Sequence, residues 1–337
     1  MKILLYSEAM RLIKISGLGR AIQHQKRALA CCGVSVTDDP SDGTCDVVHI
    51  NTLGIKSKRL AKRAKKAGKT VVYHAHSTEE DFRGSFIGSN MFSGLYKSWI
   101  CSCYKLGDVI ITPTEYSKRL LLGYGLEKPI RSISNGIDLD FYKPCEGDRA
   151  DFREKYGFSD NDKVVMSVGL YFERKGILDF VRLAYAMPDH KFIWFGKTPL
   201  FSVPPKIARA VRTKLPNLIF AGYVSPEELK KAYVGADVYI FPTYEETEGI
   251  VLLEALASRT NVIVRDIPCF DWLRADRDCY KAKSLAEFKW RIGKLASGGL
   301  PSLKEQGYKA VAEKDLCVIG QKLLRVYSEQ QEISETL

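Results

Sequence analysis

The stretch Phe241-Pro-Thr-Tyr-Glu-Glu-Thr-Glu-Gly-Ile-Val-Leu-Leu-Glu-Ala-Leu-Ala257 decides the fold. The residues that lead into it, Asp237–Phe241, are apolar enough to form a short buried strand, and Pro242 ends that strand. The apolar run after Gly249 predicts the first turns of a helix. In an open α/β sheet, ligands bind in the loops at the carboxyl ends of strands, and the free N–H groups of a following helix favour an anion.

Two carboxylates give this loop a second property. Glu246 lies in the loop, and Glu254 follows eight residues later in the helix. Carboxylates accept hydrogen bonds from hydroxyl groups, which sugars carry in number, while the helix start at Gly249 and Ile250 favours phosphate. Together these features predict a nucleotide-sugar site. An acidic, solvated loop before an ordinary helix would fit the same residues, because the spacing alone is a weak signal.

Strands alternate with helical patterns along the chain, which predicts parallel, doubly wound sheets. The first series of predicted strands is Ile3–Tyr6, Asp46–Ile50, Thr70–His74, Val109–Thr112 and Ile130–Ser134. The second series is Lys163–Val168, Lys191–Phe195, Asn217–Phe220, Asp237–Phe241 and Asn261–Val264. We expect an α/β protein with two Rossmann-like domains, 1–145 and 146–315, that face a central cleft.

Composition narrows the class of protein. The chain has 337 residues, and no apolar run approaches the ~20 residues that span a bilayer. Its start turns polar too soon for a signal peptide, and its nine cysteines lack metal-ligand spacing, so we expect a reducing cytosol. Residues 1–145 hold 22 Lys/Arg against 13 Asp/Glu, which suits an acidic partner. Nucleic acid fits by charge alone, but no aromatic-interleaved recognition motif supports it.

Much of this charge lies in residues 56–69, which contain eight Lys/Arg and no acidic residue. A solvated surface helix is one interpretation of this segment. Contact with anionic lipid is the other, because such a surface attracts each nearby Lys/Arg by about 1 kcal/mol. The basic face would consist of Lys58, Arg59, Lys62, Arg63, Lys65 and Lys66.

Residues 82–106 are rich in aromatic side chains and are flanked by lysines. Phe86, Ile87 and Met91 lie in a glycine-flanked, loop-like part and are the better candidates for insertion into lipid. The second half has the spacing of a buried helix face, so we expect core packing there. The residues with this spacing are Phe92, Leu95, Trp99 and Cys103.

His74 and His76 stand at the end of the predicted strand Thr70–His74 and are followed by carboxylates. Residues i and i+2 of a strand share a face, so this pair could bind a metal ion. No third ligand cluster is recognisable, and a simple polar strand end is also possible. A cleft-facing His at the carboxyl end of a strand fits a ligand site as well.

Ser16-Gly-Leu-Gly-Arg20 opens the helix that follows the first strand. A lone Gly-x-Gly is weak evidence, because it also occurs at tight helix starts. A dinucleotide fingerprint needs a third glycine and a later acidic residue, and neither is found.

Glu246-Thr-Glu-Gly249, followed by Glu254-Ala255, resembles the signature of glycosyltransferase family 4, whose members are retaining enzymes of GT-B fold. The usual pattern is Glu-Gly-Phe-Gly and then, five residues later, Glu-Ala. Thr247 and Glu248 depart from it. The resemblance spans nearly the whole chain, and it implies that Glu246 contacts the donor hexose and Glu254 the nucleotide ribose.

The same resemblance assigns roles to further residues. It implies that His76 binds the hexose near the reacting carbon and that Lys175, in Lys175-Gly176, faces the donor diphosphate. The family's usual Arg is Leu170 here, so either Arg174 replaces it or Arg174 is exposed and Lys175 acts alone. The remaining residues implied to bind the donor are Gly17, Gly19, Asn135, Tyr223, Gly249 and Ile250. The segment 316–337 resembles the family's closing helix, which crosses back to the first domain.

Asp138-Leu-Asp140 has the form of a metal motif of GT-A enzymes, but it lies in an interdomain turn. GT-B enzymes generally work without metal, so we expect no cofactor and no metal requirement.

The branch with the greatest resemblance consists of bacterial enzymes that add a second hexose to glucosyl-diacylglycerol. The implied reaction is transfer of galactose or glucose from a UDP-sugar to a glycolipid, for membrane glycolipids or lipoteichoic acid anchors. The implied location is cytoplasmic, peripheral on the inner face of an anionic cell membrane. The alternatives are a polysaccharide or other envelope acceptor, a nucleotide-sugar epimerase, and a non-catalytic sugar-nucleotide-binding protein.

Overall fold

The computed structural model describes residues 1–10 and 16–336. Within these ranges, twelve strands form two six-stranded sheets in which every pairing between strands is parallel. The predicted fold class, a GT-B arrangement of two doubly wound sheets, is confirmed.

The first sheet has the strand order β2-β1-β3-β4-β5-β6. Its strands β3, β4 and β5 are buried along their whole length, because helices cover both faces of the sheet. The strands are β1 (Lys2–Tyr6), β2 (Ser35–Thr37), β3 (Val47–Ile50), β4 (Thr70–His74), β5 (Val109–Thr112) and β6 (Ile130–Ser132). The helices are α1 (Gly17–Cys31), α2 (Ile55–Lys66), α3 (Glu79–Phe82), α4 (Ser89–Tyr104), α5 (Glu115–Leu122) and α6 (Leu139–Tyr142).

The second sheet has the strand order β12-β11-β10-β7-β8-β9. Its strands are β7 (Lys163–Val168), β8 (His190–Phe195), β9 (Leu218–Gly222), β10 (Val238–Phe241), β11 (Val262–Arg265) and β12 (Tyr280–Ala282). The helices are α7 (Asp148–Tyr156), α8 (Ile177–Ala186), α9 (Pro205–Val211), α10 (Pro226–Gly235), α11 (Ile250–Ala257), α12 (Leu285–Ala296) and α13 (Lys304–Ala312). Two large apolar clusters form its core.

The last helix, α14 (Leu316–Thr336), packs against the first sheet rather than the second. Its apolar side chains share one core with Ile3, Val47 and Val72. A disulfide also joins Cys31 at the end of α1 to Cys317 in α14, a pairing that the sequence analysis did not predict. The domain boundaries at 145 and 315 stay predictions.

The expectation of a buried stripe in α4 is wrong for three of its four residues. Cys103 is buried, but Phe92, Leu95 and Trp99 are exposed, with 71% of Leu95 accessible. The helix instead buries a neighbouring face, which carries two serines near its start and Ile100, Cys103 and Tyr104 near its end. Serine can face the core here because Ser93 accepts a hydrogen bond from Arg83 Nε at 3.2 Å. The apolar stripe is therefore left on the outside.

Candidate active site

The loops at the carboxyl ends of the strands of the two sheets contact each other. The stretch Phe241–Ala257 takes part in this contact. Thr114 donates to the carbonyl oxygen of Thr247 at 2.8 Å, and the Tyr116 hydroxyl donates to Glu245 Oε2 at 2.9 Å. Both donors stand at the start of α5, in the first half of the chain. The loop that precedes α11 is thus held from the opposite side of the cleft.

Glu248, one of the departures from the family pattern, is fully buried at this contact. Its carboxylate accepts hydrogen bonds from Ser134 Oγ at 2.5 Å, from Asn135 N–H at 2.9 Å and from Asn135 Nδ2 at 2.7 Å. Asn135 therefore binds the loop through its amide nitrogen. Its side-chain oxygen, Oδ1, is buried and has no hydrogen-bond partner among the described residues, so it is the atom that could accept a bond from a ligand.

Lys175 and Arg174 point into the cleft and form a network with carboxylates. Lys175 Nζ donates to Glu246 Oε1, which also accepts from Thr243 Oγ1 at 3.1 Å. Arg174 bridges the two halves of the chain: its Nη1 lies 2.9 Å from Asp81 Oδ1. The side chain of Arg174 is largely buried, which rules out the alternative in which it is exposed.

Burial and charge shift the pKa values of this network in opposing directions. Burial lowers the pKa of Lys175, and the Arg174 guanidinium lowers it further, while Glu246 raises it. Burial raises the pKa of Asp81, and Arg174 and Lys175 oppose that shift. Burial also raises the pKa of Glu245 to about 7, although the hydroxyl of Tyr116 lowers it in part. An anion that entered here would meet two cations already desolvated, which strengthens their attraction to it.

Glu254 has no exposed surface and meets the glycine-rich start of α1. Its carboxylate accepts hydrogen bonds from Arg20 Nη1 and, at 3.0 Å, from the Tyr233 hydroxyl. The negative charge of this carboxylate raises the pKa of Arg20 and outweighs burial, which lowers it. Sequence reasoning missed Arg20 as a candidate site residue, although it directly follows Gly19. The structure thus brings Gly17, Gly19 and Glu254 to one place.

Gly249 makes the turn into α11 and has a φ of 81°. A Cβ atom at this position would lie 2.7 Å from Phe241 Cε1, so only glycine fits. Ile250 begins the helix and is buried. Tyr223 follows the carboxyl end of β9 and is half-exposed. It lies on the same side of the second sheet as the loop around Glu246, which follows the carboxyl end of β10.

His76 belongs to a buried polar network that reaches back to α14. The Tyr327 hydroxyl lies 2.5 Å from His49 Nδ1, and His49 Nε2 lies 3.1 Å from His74 Nδ1. Gln25 Nε2 is 2.9 Å from both His74 Nδ1 and Asn51 Oδ1. These contacts are mutually consistent when Tyr327 donates to His49 and each histidine carries its proton on Nε2.

His76 joins this network through Asn51. Its Nε2 lies 2.8 Å from Asn51 Oδ1, so the ring donates from Nε2 and leaves Nδ1 as an acceptor. The rings of His74 and His76 stack with 4.2 Å between centroids. Burial lowers the pKa of His76 to about 3, which keeps the ring neutral. A neutral acceptor suits a sugar hydroxyl.

Across residues 1–10 and 16–336, no group of three or more His, Cys, Asp or Glu side chains is arranged to hold a metal ion. Asp138, the first carboxylate of the pair Asp138 and Asp140, has a structural explanation. Asp138 caps α6 by accepting from Phe141 N–H at 3.1 Å, and it pairs with Arg27. Independence from metal stays a prediction.

The basic helix α2 lies beside the exposed face of α4. Lys58 Nζ stands 4.6 Å from the centre of the Trp99 ring and donates to Ser102 Oγ at 2.7 Å. Phe86, Ile87 and Met91 are exposed, and 75% of Met91 is accessible. As a candidate membrane contact, this patch is named the first docking surface: the basic face of α2 with Phe86, Ile87, Met91, Phe92, Leu95 and Trp99. None of the helices that the structure describes is long and apolar enough to cross a membrane.

Two protein-family models match the chain in succession. The model "Glycosyltransferase Family 4" matches residues 41–141, and the model "Glycosyl transferases group 1" matches residues 148–310. The processive diacylglycerol alpha-glucosyltransferase of Acholeplasma laidlawii is 42% identical over 331 residues, which cover 98% of each chain. The chain belongs to glycosyltransferase family 4. The prediction of a glycosyltransferase of this family is confirmed.

One further relative and one solved structure are similar to this glycosyltransferase. The alpha-galactosylglucosyldiacylglycerol synthase of Streptococcus pneumoniae is 28% identical over 85% of this chain and 74% of that protein. Among solved structures, HepE from Anabaena in complex with UDP and glucose has a TM-score of 0.79 at 15% identity, and the match covers 98% of this chain and 100% of that one. The similarity to HepE concerns the fold.

Proposed function

We propose that this glycosyltransferase transfers a hexose, glucose or galactose, from a UDP-sugar to a diacylglycerol glycolipid with retention of the anomeric configuration. The observation that carries the proposal is the 42% identity to a processive diacylglycerol alpha-glucosyltransferase along 98% of both chains. The site residues fit this chemistry, because acceptors for sugar hydroxyls lie beside cations for a diphosphate. Glucosyl-diacylglycerol is the expected acceptor.

The donor phosphates would lie against Lys175, Arg174 and the start of α11 at Gly249 and Ile250. Preorganised cations and backbone N–H groups stabilise the charge that develops on the leaving diphosphate. The two cations contact Glu246 and Asp81, so a diphosphate would enter a network that is already balanced in charge. No side chain stands out as a covalent nucleophile, and we infer a same-face attack assisted by the leaving group.

The sugar and ribose hydroxyls would bind the neutral acceptors and carboxylates of the cleft. His76 presents Nδ1, and Glu246 presents the oxygen that Lys175 does not bind, to the hexose. Glu254 would bind the ribose and share its carboxylate with Arg20. Asn135 Oδ1, which is buried and lacks a partner among the described residues, offers a further acceptor.

Product analysis by mass spectrometry tests the reaction. The protein is given heavy-isotope-labelled UDP-glucose and unlabelled UDP-galactose together, with diacylglycerol and glucosyl-diacylglycerol as acceptors. Because glucose and galactose have the same mass without the label, the mass of the lipid product identifies the transferred sugar. A glycolipid that appears with the wild type and with Asp237→Asn but not with Lys175→Ala supports the proposal. UDP binding without any glycosylated lipid would favour the non-catalytic alternative, and hexose on a polysaccharide would favour an envelope acceptor.

We also propose that the enzyme is peripheral on the cytoplasmic face of an anionic membrane, which it meets with the first docking surface. Charge and apolar insertion are two signals, and one alone holds a protein only weakly. Lys65 pairs with Asp108 at 2.5 Å, and Arg63 donates to the Pro40 carbonyl at 2.7 Å, so these two are partly engaged. The test variant therefore combines four substitutions at exposed residues of α2 that have no ion-pair partner in the described part of the chain. They are Lys56→Gln, Arg59→Gln, Lys62→Gln and Lys66→Gln.

Vesicle co-sedimentation measures this contact. At about 1 kcal/mol per charge near an anionic surface, even half of the effect of four charges weakens binding roughly 30-fold. The matched control removes four exposed lysines elsewhere and should bind normally: Lys289→Gln, Lys294→Gln, Lys309→Gln and Lys322→Gln. Turnover on detergent-dispersed acceptor should be the same in both variants. Equal binding of both variants to anionic vesicles would refute docking through α2.

A further inference from the structure

The second half of the chain contains a stretch with the same chemistry as the first docking surface. Residues 190–226 hold six Lys/Arg and no Asp/Glu. In the middle of this stretch, 88% of the Phe201 side chain is accessible. Basic side chains around an exposed aromatic ring suit an anionic lipid interface.

The charges of this stretch are available to a partner. Lys206 pairs with Glu173 at 2.6 Å. Four other basic residues lie in the connection between β8 and α9, in α9 itself and just after it. They are exposed and have no ion-pair partner within the part of the chain that the structure describes. They are Lys197, Arg209, Arg212 and Lys214.

Phe201 lies in a turn that is anchored on both sides. Leu200, directly before it, packs against the core, and Val203, two residues after it, is part of the core. Ser202 Oγ donates to the Pro199 carbonyl at 2.8 Å, and the turn is bounded by prolines that restrict the backbone. The exposure of the ring is therefore fixed by the neighbours of Phe201 rather than by a loose loop.

Both ends of this connection are fastened next to the first docking surface. Tyr171 N–H donates to Thr198 Oγ1 at 2.9 Å at one end, and Lys206 binds Glu173 at the other. Between these anchors lies Phe172, whose ring centre is 4.9 Å from that of Phe86. Phe86 belongs to the first docking surface. The two apolar and basic surfaces are thus neighbours across the mouth of the cleft.

We propose that Phe201, with Lys197 and Arg209, forms a second docking surface for the same anionic membrane, so that both domains rest on the lipid with the cleft mouth between them. This proposal rests on membrane docking by the first surface. The two surfaces have like charge, which suits a shared anionic partner and disfavours direct binding of one to the other. A lipid substrate could then pass between membrane and cleft without crossing water.

The test compares Phe201→Ser with two single variants of the full-length protein. Phe86→Ser removes an aromatic ring from the first docking surface. Trp290→Ser is the matched control: 53% of Trp290 is accessible, but it lies in α12, which packs against β12 at the opposite edge of the second sheet. Binding to vesicles of phosphatidylglycerol and phosphatidylcholine is measured by co-sedimentation, and UDP binding by calorimetry verifies that each variant is folded.

We expect Phe201→Ser to weaken vesicle binding about tenfold, in line with loss of a buried phenyl ring, and Trp290→Ser to leave it unchanged. Lys197→Gln combined with Arg209→Gln should weaken binding to anionic vesicles in low salt only. Normal binding of Phe201→Ser while Phe86→Ser binds poorly would overturn the second surface and leave the first intact. Normal binding of both would remove membrane docking itself. A change of oligomeric state in Phe201→Ser would assign the ring to self-association and also overturn the proposal.

Discussion

Replacing Glu254 by Gln tests the nucleotide site with little change in shape. Glutamine keeps an oxygen that can accept from Tyr233, which lies 3.0 Å from the carboxylate, but it removes the negative charge. A hydrogen bond to a charged group contributes about 1.5–3 kcal/mol. If ribose hydroxyls donate to this carboxylate, UDP affinity should therefore fall roughly 10- to 150-fold.

The same substitution also breaks the ion pair with Arg20, and loss of one partner of a buried pair destabilises a protein. Affinity and stability must therefore be measured separately, by titration calorimetry with UDP and by thermal unfolding. Asp237→Asn is the control, because Asp237 pairs with the buried Arg153 at 2.8 Å but lies at the start of β10, away from the cleft. It should lower the unfolding temperature and leave UDP affinity unchanged. A UDP affinity of Glu254→Gln within about twofold of the wild type would refute the proposed role.

Three further predictions concern the cleft. Asn51→Ala should lower kcat at least about tenfold with a smaller effect on UDP affinity, because the imidazole of His76 loses the hydrogen bond that orients it. An unchanged kcat, or unchanged nitrogen chemical shifts of His76 in NMR spectra, would contradict this. Acid should destabilise the fold: burial lowers the pKa of His49 to about 3 and that of His74 well below its usual value, so the stability they contribute is present above about pH 6.5 and is lost as pH falls. Urea unfolding should show a loss of stability between about pH 6.5 and about pH 4.5, of which His49 alone contributes about 2 kcal/mol, and His49→Gln should remove that share; equal losses in both proteins would speak against the burial of His49. Activity should survive EDTA, because we expect no metal requirement. Asp138→Asn keeps an acceptor for the helix cap, so a Mn²⁺ requirement in the wild type that is absent from this variant would show that Asp138 binds a metal ion.

The sequence predicted the central strands of both sheets because those strands are continuous apolar runs. It missed β2 and β12, which have three residues each and lie at the outer edges of the two sheets. Neither segment shows a period, whereas the equally short β6 was predicted as part of the longer segment Ile130–Ser134. The pairing of an edge strand also depends on a neighbour that lies far away in the chain. The error in α4 has a related cause. Two stripes of the helix have core spacing, and only the surrounding structure decides which is buried.

The site was predictable where a motif places a residue at the end of a strand, as for His76 and Glu246. Partners that come from distant segments were not. Arg20 meets Glu254 across 234 positions, and Tyr327 meets His49 across 278. Neither pair leaves a local pattern in the sequence, because each contact depends on how the two halves are assembled.

The packing of α14 sets an order for folding during synthesis. The core residues of the second sheet all lie between residues 137 and 311, so they are complete before α14 is made. The first sheet is made earlier but finishes later, because Ile3, Val47 and Val72 are covered only when Leu323 and Tyr327 arrive. During synthesis, the half that is made first thus keeps part of its apolar face uncovered, and its core is completed only after the residues of α14 have been translated.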